Sequence, residues 1–321
     1  MQAKTAALLG SGLAVLLVVL FGRLPGDGQW VTDLSNAAHG PAFMLLTIIA
    51  LYLATDSKSR KTSLFAKYSV AITVVILLGA VVELLQSFTG RDAELRDLCH
   101  DALGAVAAAG VFLIFDPEVT ASPRRQVLRR TGFVSAIAAC VLMFAPLAHT
   151  ASAYLHRHRS FPVLYDFSWP LSTYFLGVHS PILAEREALP TDMPGGGQGA
   201  VGLHISLQDH KGWWGIFLNE PCGDWRGYER LGLDLANPTA VPFRLTMRVR
   251  DRDQMNVDDA GYLTEIEIAP HSRQTSRVPL EHLETSEGPQ QVDTGMVSSI
   301  VLSRNPANRG AEFYVMRIWL E

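Results

Sequence analysis

The sequence predicts an α-helical bundle of five membrane spans followed by an all-β sandwich. Three observations predict it: five apolar stretches within the first 150 residues, ionisable residues set inside those stretches, and period-two alternation of apolar and polar residues beyond about residue 160. The stretches are 5–21, 37–55, 68–88, 98–115 and 131–150, each of a length that crosses a hydrocarbon core of about 30 Å as a helix. A membrane domain over 1–150, a polar and basic linker over 151–160 and an external domain over 161–321 follow. Net charge of −4 and mean hydropathy of +0.17 average two unlike halves and say little about partners.

Orientation follows from lysine and arginine, which stay on the cytoplasmic side of short loops. The loop 56–67 carries Lys58, Arg60, Lys61 and Lys67, and 116–130 carries Arg124, Arg125, Arg129 and Arg130, whereas the opposite segments hold only Arg23, Arg91 and Arg96. Both basic loops, and the N-terminus with Lys4, are expected inside; five spans then send everything beyond about residue 150 outside. The first stretch is read as a span and not as a signal peptide, because the sequence after it, Phe-Gly-Arg-Leu-Pro, lacks a small-x-small cleavage pattern. Cys99 and Cys140 fall in spans, which leaves Cys222 without an external disulfide partner. The arginines of 116–130 anchor topology; no nucleic-acid partner is expected.

An ionisable side chain inside a span costs several kcal/mol and marks a functional site. His39 opens the second stretch, Glu83 lies near the end of the third, and His100 and Asp101 fall in the first turn of the fourth, so all sit at the outer end. Asp97, His100, Asp101 and Gly104 follow i, i+3, i+4, i+7, and Glu83 and Gln86 are i, i+3, so each set shares one helix face. Gly104 and Ala108 make a small-xxx-small step that allows close helix approach. Arg91, in the connection between the third and fourth stretches, has a planar fork suited to Glu83, Asp97, Asp101 or a phosphate headgroup.

Three readings stay open for this cluster. Glu83, Arg91 and Asp97 form a salt-bridged lock on the helical hairpin; or His39, Glu83, His100 and Asp101 offer metal-ligand types without a recognised ligand spacing; or the cluster binds, or acts on, a polar lipid headgroup or lipid-linked sugar. The last is preferred, with Glu83, Asp97 and Asp101 as candidate acids or bases if there is turnover. No metal or cofactor is expected, and enzymatic activity is left open.

The run Glu83-Leu-Leu-Gln86-Ser-Phe88-Thr-Gly-Arg91, followed by Asp97, Asp101 and Gly104 and preceded by His39, resembles the VanZ-like membrane family, whose pattern is E-x-x-Q-x-F, an Arg, and D-x-x-x-N-x-x-G. The resemblance covers roughly residues 30–115. The family's Asn is Asp101 here, and the Lys often found three residues before the His is Asn36, so a headgroup site carried over from the family is less cationic. Membership implies a bacterial cytoplasmic membrane and an envelope role tied to glycopeptide tolerance or surface polysaccharide.

In the second half, Val201, Leu203, Ile205 and Leu207 alternate with Gly202, His204, Ser206 and Gln208, and Phe243, Leu245, Met247 and Val249 alternate with Arg244, Thr246, Arg248 and Arg250. This is the pattern of half-buried antiparallel strands. Further strands are expected at 165–169, 214–218, 231–235, 263–268, 275–280, 298–303 and 312–320, divided by Pro- and Gly-containing turns, which gives about nine strands in one two-sheet sandwich. The Trp225-x-x-Tyr228-x-x-Leu231 run, Leu245 to Asp251 and the closing Phe313-Tyr314-Val315-x-x-Ile318-x-Leu320 are similar to galactose-binding-like jelly rolls of carbohydrate-binding modules. That resemblance implies sugar binding. Such modules often hold structural calcium through an Asp in the last strand; Met316 stands there, which argues against calcium. Trp213, Trp214, Arg248, Arg250, Asp251, Asp253, Asn256 and Tyr262 combine aromatic surface with planar hydrogen-bonding groups and are the candidate sugar contacts.

The expected function is therefore a bacterial envelope protein that binds or handles a lipid-linked glycan or polar lipid at the outer leaflet and carries an external carbohydrate-binding-like domain. The alternatives are an integral membrane enzyme acting on a lipid-linked phosphate or sugar, and a structural assembly factor of an envelope polysaccharide system.

Overall fold

The computed structural model describes all residues except 1, 23, 27, 57–62, 89–93, 180–181, 198, 208–213, 256, 258 and 305–311. The chain forms two compact units, Met1–Ala151 and Ser152–Glu321.

The first unit is helical: α1 Gln2–Phe21, α2 Gln29–Asp56, α3 Leu64–Ser87, α4 Leu95–Phe115, the short α5 Pro117–Ala121, and α6, which begins at Arg125 and ends at Ser160. All of these but α5 are long and apolar enough to cross a membrane. Helix α2 starts well before the apolar stretch at 37, so His39 lies in its third turn and not at its start. The early turns are polar because their side chains have partners inside the bundle. Asp33 meets the Arg96 guanidinium at 2.9 Å and accepts from the Thr150 hydroxyl at 2.6 Å, and the Asn36 amide donates to Glu94 at 3.3 Å. Hydropathy sees such a face as non-helical; pairing makes it helical.

Helices α2 and α4 cross where Gly104 lies against the Gly40 carbonyl, a spot with no room for a Cβ. Phe43, Leu46, Val75 and Ala105 pack beside that crossing. At the far end of the α3–α4 hairpin, the Ser63 hydroxyl caps α3 by accepting from the Ala66 N–H at 3.2 Å. The buried Lys67 ammonium donates to Asp116 at 2.7 Å, and the Tyr68 hydroxyl donates to the same carboxylate at 2.8 Å. Lys67 thus belongs to α3 and to an ion pair. It is not one of the loop cations of 56–67.

Among the described residues the second unit has eleven strands: β1 Val163–Asp166, β2 Leu176–Val178, β3 Ile182–Ala188, β4 Val201–Leu207, β5 Gly215–Asn219, β6 Arg230–Asn237, β7 Phe243–Asp251, β8 Tyr262–Ile268, β9 Ser272–Pro279, β10 Val297–Arg304 and β11 Glu312–Leu320, with a short helix α7 at Glu281–Thr285. One sheet runs β3-β4-β11-β6-β9, with β1 also paired to β11; the other runs β2-β5-β10-β7-β8. Every pairing described is antiparallel. Leu203, Ile205, Leu231, Leu233, Phe313 and Val315 of the first sheet share one core with Ile216, Leu218, Leu245, Met247, Val249 and Ile300 of the second. Alternation therefore holds as expected along β7 and, in β4, from Leu203 to Ser206; Gly202 is buried as well, and the expected Gln208 lies outside the described residues. The strands missing from the sequence reading, β2 and β3, are edge strands, which bury little and so write no apolar stripe.

The expected linker 151–160 is the last part of α6. Ala153 is buried in the core of the strand unit, and Tyr154 packs against that core. The Arg157 guanidinium stacks over Phe175, 3.2 Å from its ring centroid, and donates to the Glu220 carbonyl. Tyr154 donates its hydroxyl to the Glu220 carboxylate. The basic composition that suggests a linker belongs partly to a buried cation and partly to the exposed His158 and Arg159.

Candidate functional site

Three helices supply the polar cluster of the bundle. Helix α2 carries His39, α3 carries Glu83, and α4 carries Asp97 and Asp101 one turn apart; all four are buried. The Gly40–Gly104 crossing brings their faces together. His39 Nδ1 lies 3.2 Å from Asp101 Oδ1 and His39 Nε2 lies 3.7 Å from Asp97 Oδ2. Donor atoms of His39, Glu83 and Asp97 all lie within 4.8 Å of one another. Glu83 Oε2 accepts the Glu94 N–H at 3.0 Å, so Glu83 also caps the start of α4, where the Glu94 side chain makes no cap of its own. Glu83 Oε1, Asp97 Oδ1 and Asp101 Oδ2 are buried with no hydrogen-bond partner among the described residues. Buried acceptors left unsatisfied cost about 1–3 kcal/mol each, and more when charged.

The structure thus joins His39, Glu83, Asp97 and Asp101, and gives two other predicted members hydrogen bonds to backbone carbonyls. His100 is buried, and its Nδ1 donates to the Arg96 carbonyl at 3.0 Å, a contact along its own helix. Gln86 donates to the Val19 carbonyl of α1 at 3.1 Å, which ties α3 to α1. Arg91 lies outside the described residues. Asp33, Asn36 and Arg96 join the same end of the bundle; Asn36 entered the sequence reading only as a departure from the family pattern, Arg96 only as an outer-side cation and Asp33 not at all, although the spacing Asp33, Asn36, Gly40, at i, i+3, i+7, was an available signal.

His39, though buried, also borders an open cleft of about 700 Å³, together with Val15, Val18 and Val19 of α1 and Ala38 and Ala42 of α2. A largely apolar cleft of that size, bordered by a buried imidazole, has room for a hydrocarbon chain beside a polar group.

In the strand unit, several candidate sugar contacts have structural tasks. Trp214 is buried and packs on Phe313, ring centroids 6.3 Å apart. Asp251 is buried and organises its loop by accepting the N–H groups of Asp253 at 3.0 Å, Gln254 at 3.1 Å and Asp293 at 3.0 Å. Tyr262 packs against the core. Trp213 and Asn256 lie outside the described residues. Asp253 is exposed on its loop. Arg248 and Arg250 point outward from β7, and both donate to the Ala260 carbonyl, at 3.4 and 3.1 Å. Strand register places Gly177, Phe217, Val301, Arg248 and Leu263 in one row across the outer face of the second sheet, and Asn219, Ser299 and Arg250 in the next. Phe217 and Asn219 were missed because β5 reads from sequence as a uniformly buried run.

Burial raises the Cys222 thiol above its ordinary range, against the pull of Arg157, which argues against a reactive cysteine. On the exposed surface, Arg226 holds the Asp224 carboxyl down to about 2.

No protein-family model and no curated protein matches the chain. Solved structures do. A Family 11 carbohydrate-binding module from Clostridium thermocellum, in complex with a beta-1,3-1,4-mixed-linked tetrasaccharide, is similar at 20% identity and a TM-score of 0.36 over 49% of this chain and 93% of that one. The CBM22-1 xylan-binding domain of Paenibacillus barcinonensis Xyn10C matches at 13% identity and 0.31 over 49% and 94%. An exo-beta-agarase matches at 17% identity and 0.40 over 50% of this chain and 24% of its own.

Proposed function

We propose that the chain is an integral protein of the bacterial cytoplasmic membrane whose helical bundle holds a polar lipid or lipid-linked glycan, and whose strand unit binds carbohydrate outside. The observation that carries this reading is the double position of His39, in the carboxylate cluster and in the wall of the apolar cleft. The cleft takes the hydrocarbon; the cluster takes the headgroup. Unpartnered acceptors on Glu83, Asp97 and Asp101 favour a headgroup rich in donors, such as sugar hydroxyls, over a bare anion. The one arginine described beside the cluster, Arg96, already faces Asp33.

Topology supports the same assignment. The exposed Arg124, Arg125, Arg129 and Arg130 mark the cytoplasmic side, and the cluster lies at the end of the α3–α4 hairpin away from Asp116 and that basic segment. Carbohydrate binding by the strand unit rests on two neighbouring rows of the second sheet, Phe217 with Arg248 and Asn219 with Arg250, an aromatic side chain beside planar hydrogen-bonding groups.

The test is mass spectrometry of lipid retained by full-length protein extracted from its native membrane. A lipid bearing a saccharide is expected, and Ala38→Trp, which fills the cleft without touching the cluster, should remove it. Protein that retains no lipid, or that keeps the same lipid after Ala38→Trp, would refute the reading.

A further inference from the structure

We infer that His39, Glu83 and Asp97 form a binding site for one divalent first-row metal ion, with Asp101 orienting the imidazole. The argument stands on the bundle alone and does not depend on a lipid ligand. Three carboxylates surround one imidazole in a place where Glu83 is 6% and Asp97 4% exposed. Burial by itself favours the neutral acid; a cation among these oxygens is what keeps them ionised and uses their lone pairs at once, which sugar hydroxyls do not do.

Geometry points to a metal ion more than to ammonium. The donors are one imidazole nitrogen and two carboxylates from three helices, within 4.8 Å of one another. Donors about 2.0–2.2 Å from a tetrahedral ion are about 3.3 Å apart; His39 Nε2 and Asp97 Oδ2 are already at 3.7 Å. Closing the set takes side-chain torsions, not helix movement. Asp101 completes the arrangement: its Oδ1 lies 3.2 Å from the other ring nitrogen, and as a carboxylate accepting there it would select the tautomer whose Nε2 carries the lone pair. A carboxylate behind a ligating histidine is the common outer shell of such sites. Mixed nitrogen and carboxylate donors suit Zn²⁺ and Mn²⁺ better than Ca²⁺. Three protein ligands leave at least one coordination position open.

The ligands were invisible as a motif because each comes from a different helix, so no fixed spacing along the chain joins them. The test uses full-length protein in detergent, stripped with chelator and titrated with Zn²⁺ by equilibrium dialysis. One ion per chain is expected. His39→Ala, Glu83→Gln and Asp97→Asn should each weaken binding at least tenfold, and Asp101→Asn about 10–100-fold. His204→Gln, which removes the imidazole beside Glu187 and Glu312, should leave binding unchanged. X-ray absorption on the zinc-loaded wild type needs no variant to fold; it should show one nitrogen among oxygen donors at about 2.0–2.2 Å. Absence of saturable binding, binding unchanged in the cluster variants, binding lost in His204→Gln, or a shell of sulfur or several imidazoles would each overturn the inference.

Discussion

Gly104 of α4 rests on the backbone carbonyl of Gly40 in α2, with no space for a Cβ between them. The residue before Gly40 is His39, and Asp101 lies one turn before Gly104. The glycine crossing is therefore what sets the 3.2 Å contact between His39 and Asp101. A packing feature places the chemistry.

Replacing Gly104 by Val should force the helices apart and cost about 1–3 kcal/mol as an overpacked contact. Gly10 is the control, because a Cβ there meets nothing within 4 Å; Gly10→Ala should be neutral or stabilising through helix propensity. Thermal unfolding in detergent separates the two. Equal melting temperatures for both variants would show that the crossing is loose.

Acid should weaken the hairpin end that holds Lys67 and Asp116. Burial pushes the Asp116 carboxyl up, but hydrogen bonds from Lys67, Tyr68 and the Glu118 N–H outweigh it and hold the group below the ordinary aspartate value. A carboxylate depressed in the folded state contributes stability above its unfolded pKa of about 3.9 and loses it as pH falls through the folded value. Melting temperature should therefore drop below about pH 4 in wild type. Asp116→Asn should remove that acid-dependent loss while costing about 3–5 kcal/mol at pH 7, since it strands the buried lysine.

The strand unit on its own should reach its full stability only when it begins at about Ser152. A fragment over 152–321 keeps Ala153, Tyr154 and Arg157 on their partners; one over 161–321 loses the stacking of Arg157 on Phe175 and both contacts with Glu220. Loss of about 2–3 kcal/mol in a domain of this size lowers the melting point by roughly 5–10 °C. Circular dichroism melts of the two fragments measure it. Identical melts would mean that the end of α6 is a passive tether.

Glycan binding by the strand unit, measured by affinity electrophoresis against a panel of polysaccharides, should fall several-fold in Phe217→Ala and Arg248→Ala. Asp253→Ala, on the exposed loop outside that row, should have little effect. Loss in Asp253→Ala with retention in the other two would move the site from the sheet face to the loop.

Much of this was legible in the sequence where burial is one-sided. Phe243 to Val249 alternate because β7 has one face in the core, and His39, Glu83 and Asp101 stand out because charge is rare in apolar runs. What was not legible depends on partners from elsewhere in the chain. Helix α2 begins at Gln29 because Asp33 and Asn36 find Arg96, Thr150 and Glu94; the end of α6 is helical because Arg157 finds Phe175 and Glu220. His100 shares its helix face with Asp97 by spacing, yet turns to the Arg96 carbonyl one turn back. Trp214 and Asp251 have the chemistry of sugar contacts and serve the core and a loop.

The most direct measurement compares retained lipid with thermal stability in Asp97→Asn. Apart from His39 at 3.7 Å, Asp97 has no side-chain contact among those described that a structural lock would need, and its Oδ1 is unpartnered. If the cluster is a ligand site, this isosteric change removes most of the retained saccharide-bearing lipid while the melting temperature of delipidated, chelator-stripped protein stays level or rises, because a buried acidic group is gone. Lipid content equal to wild type, with a large fall in melting temperature, would show that the cluster is a lock and contradict the ligand site.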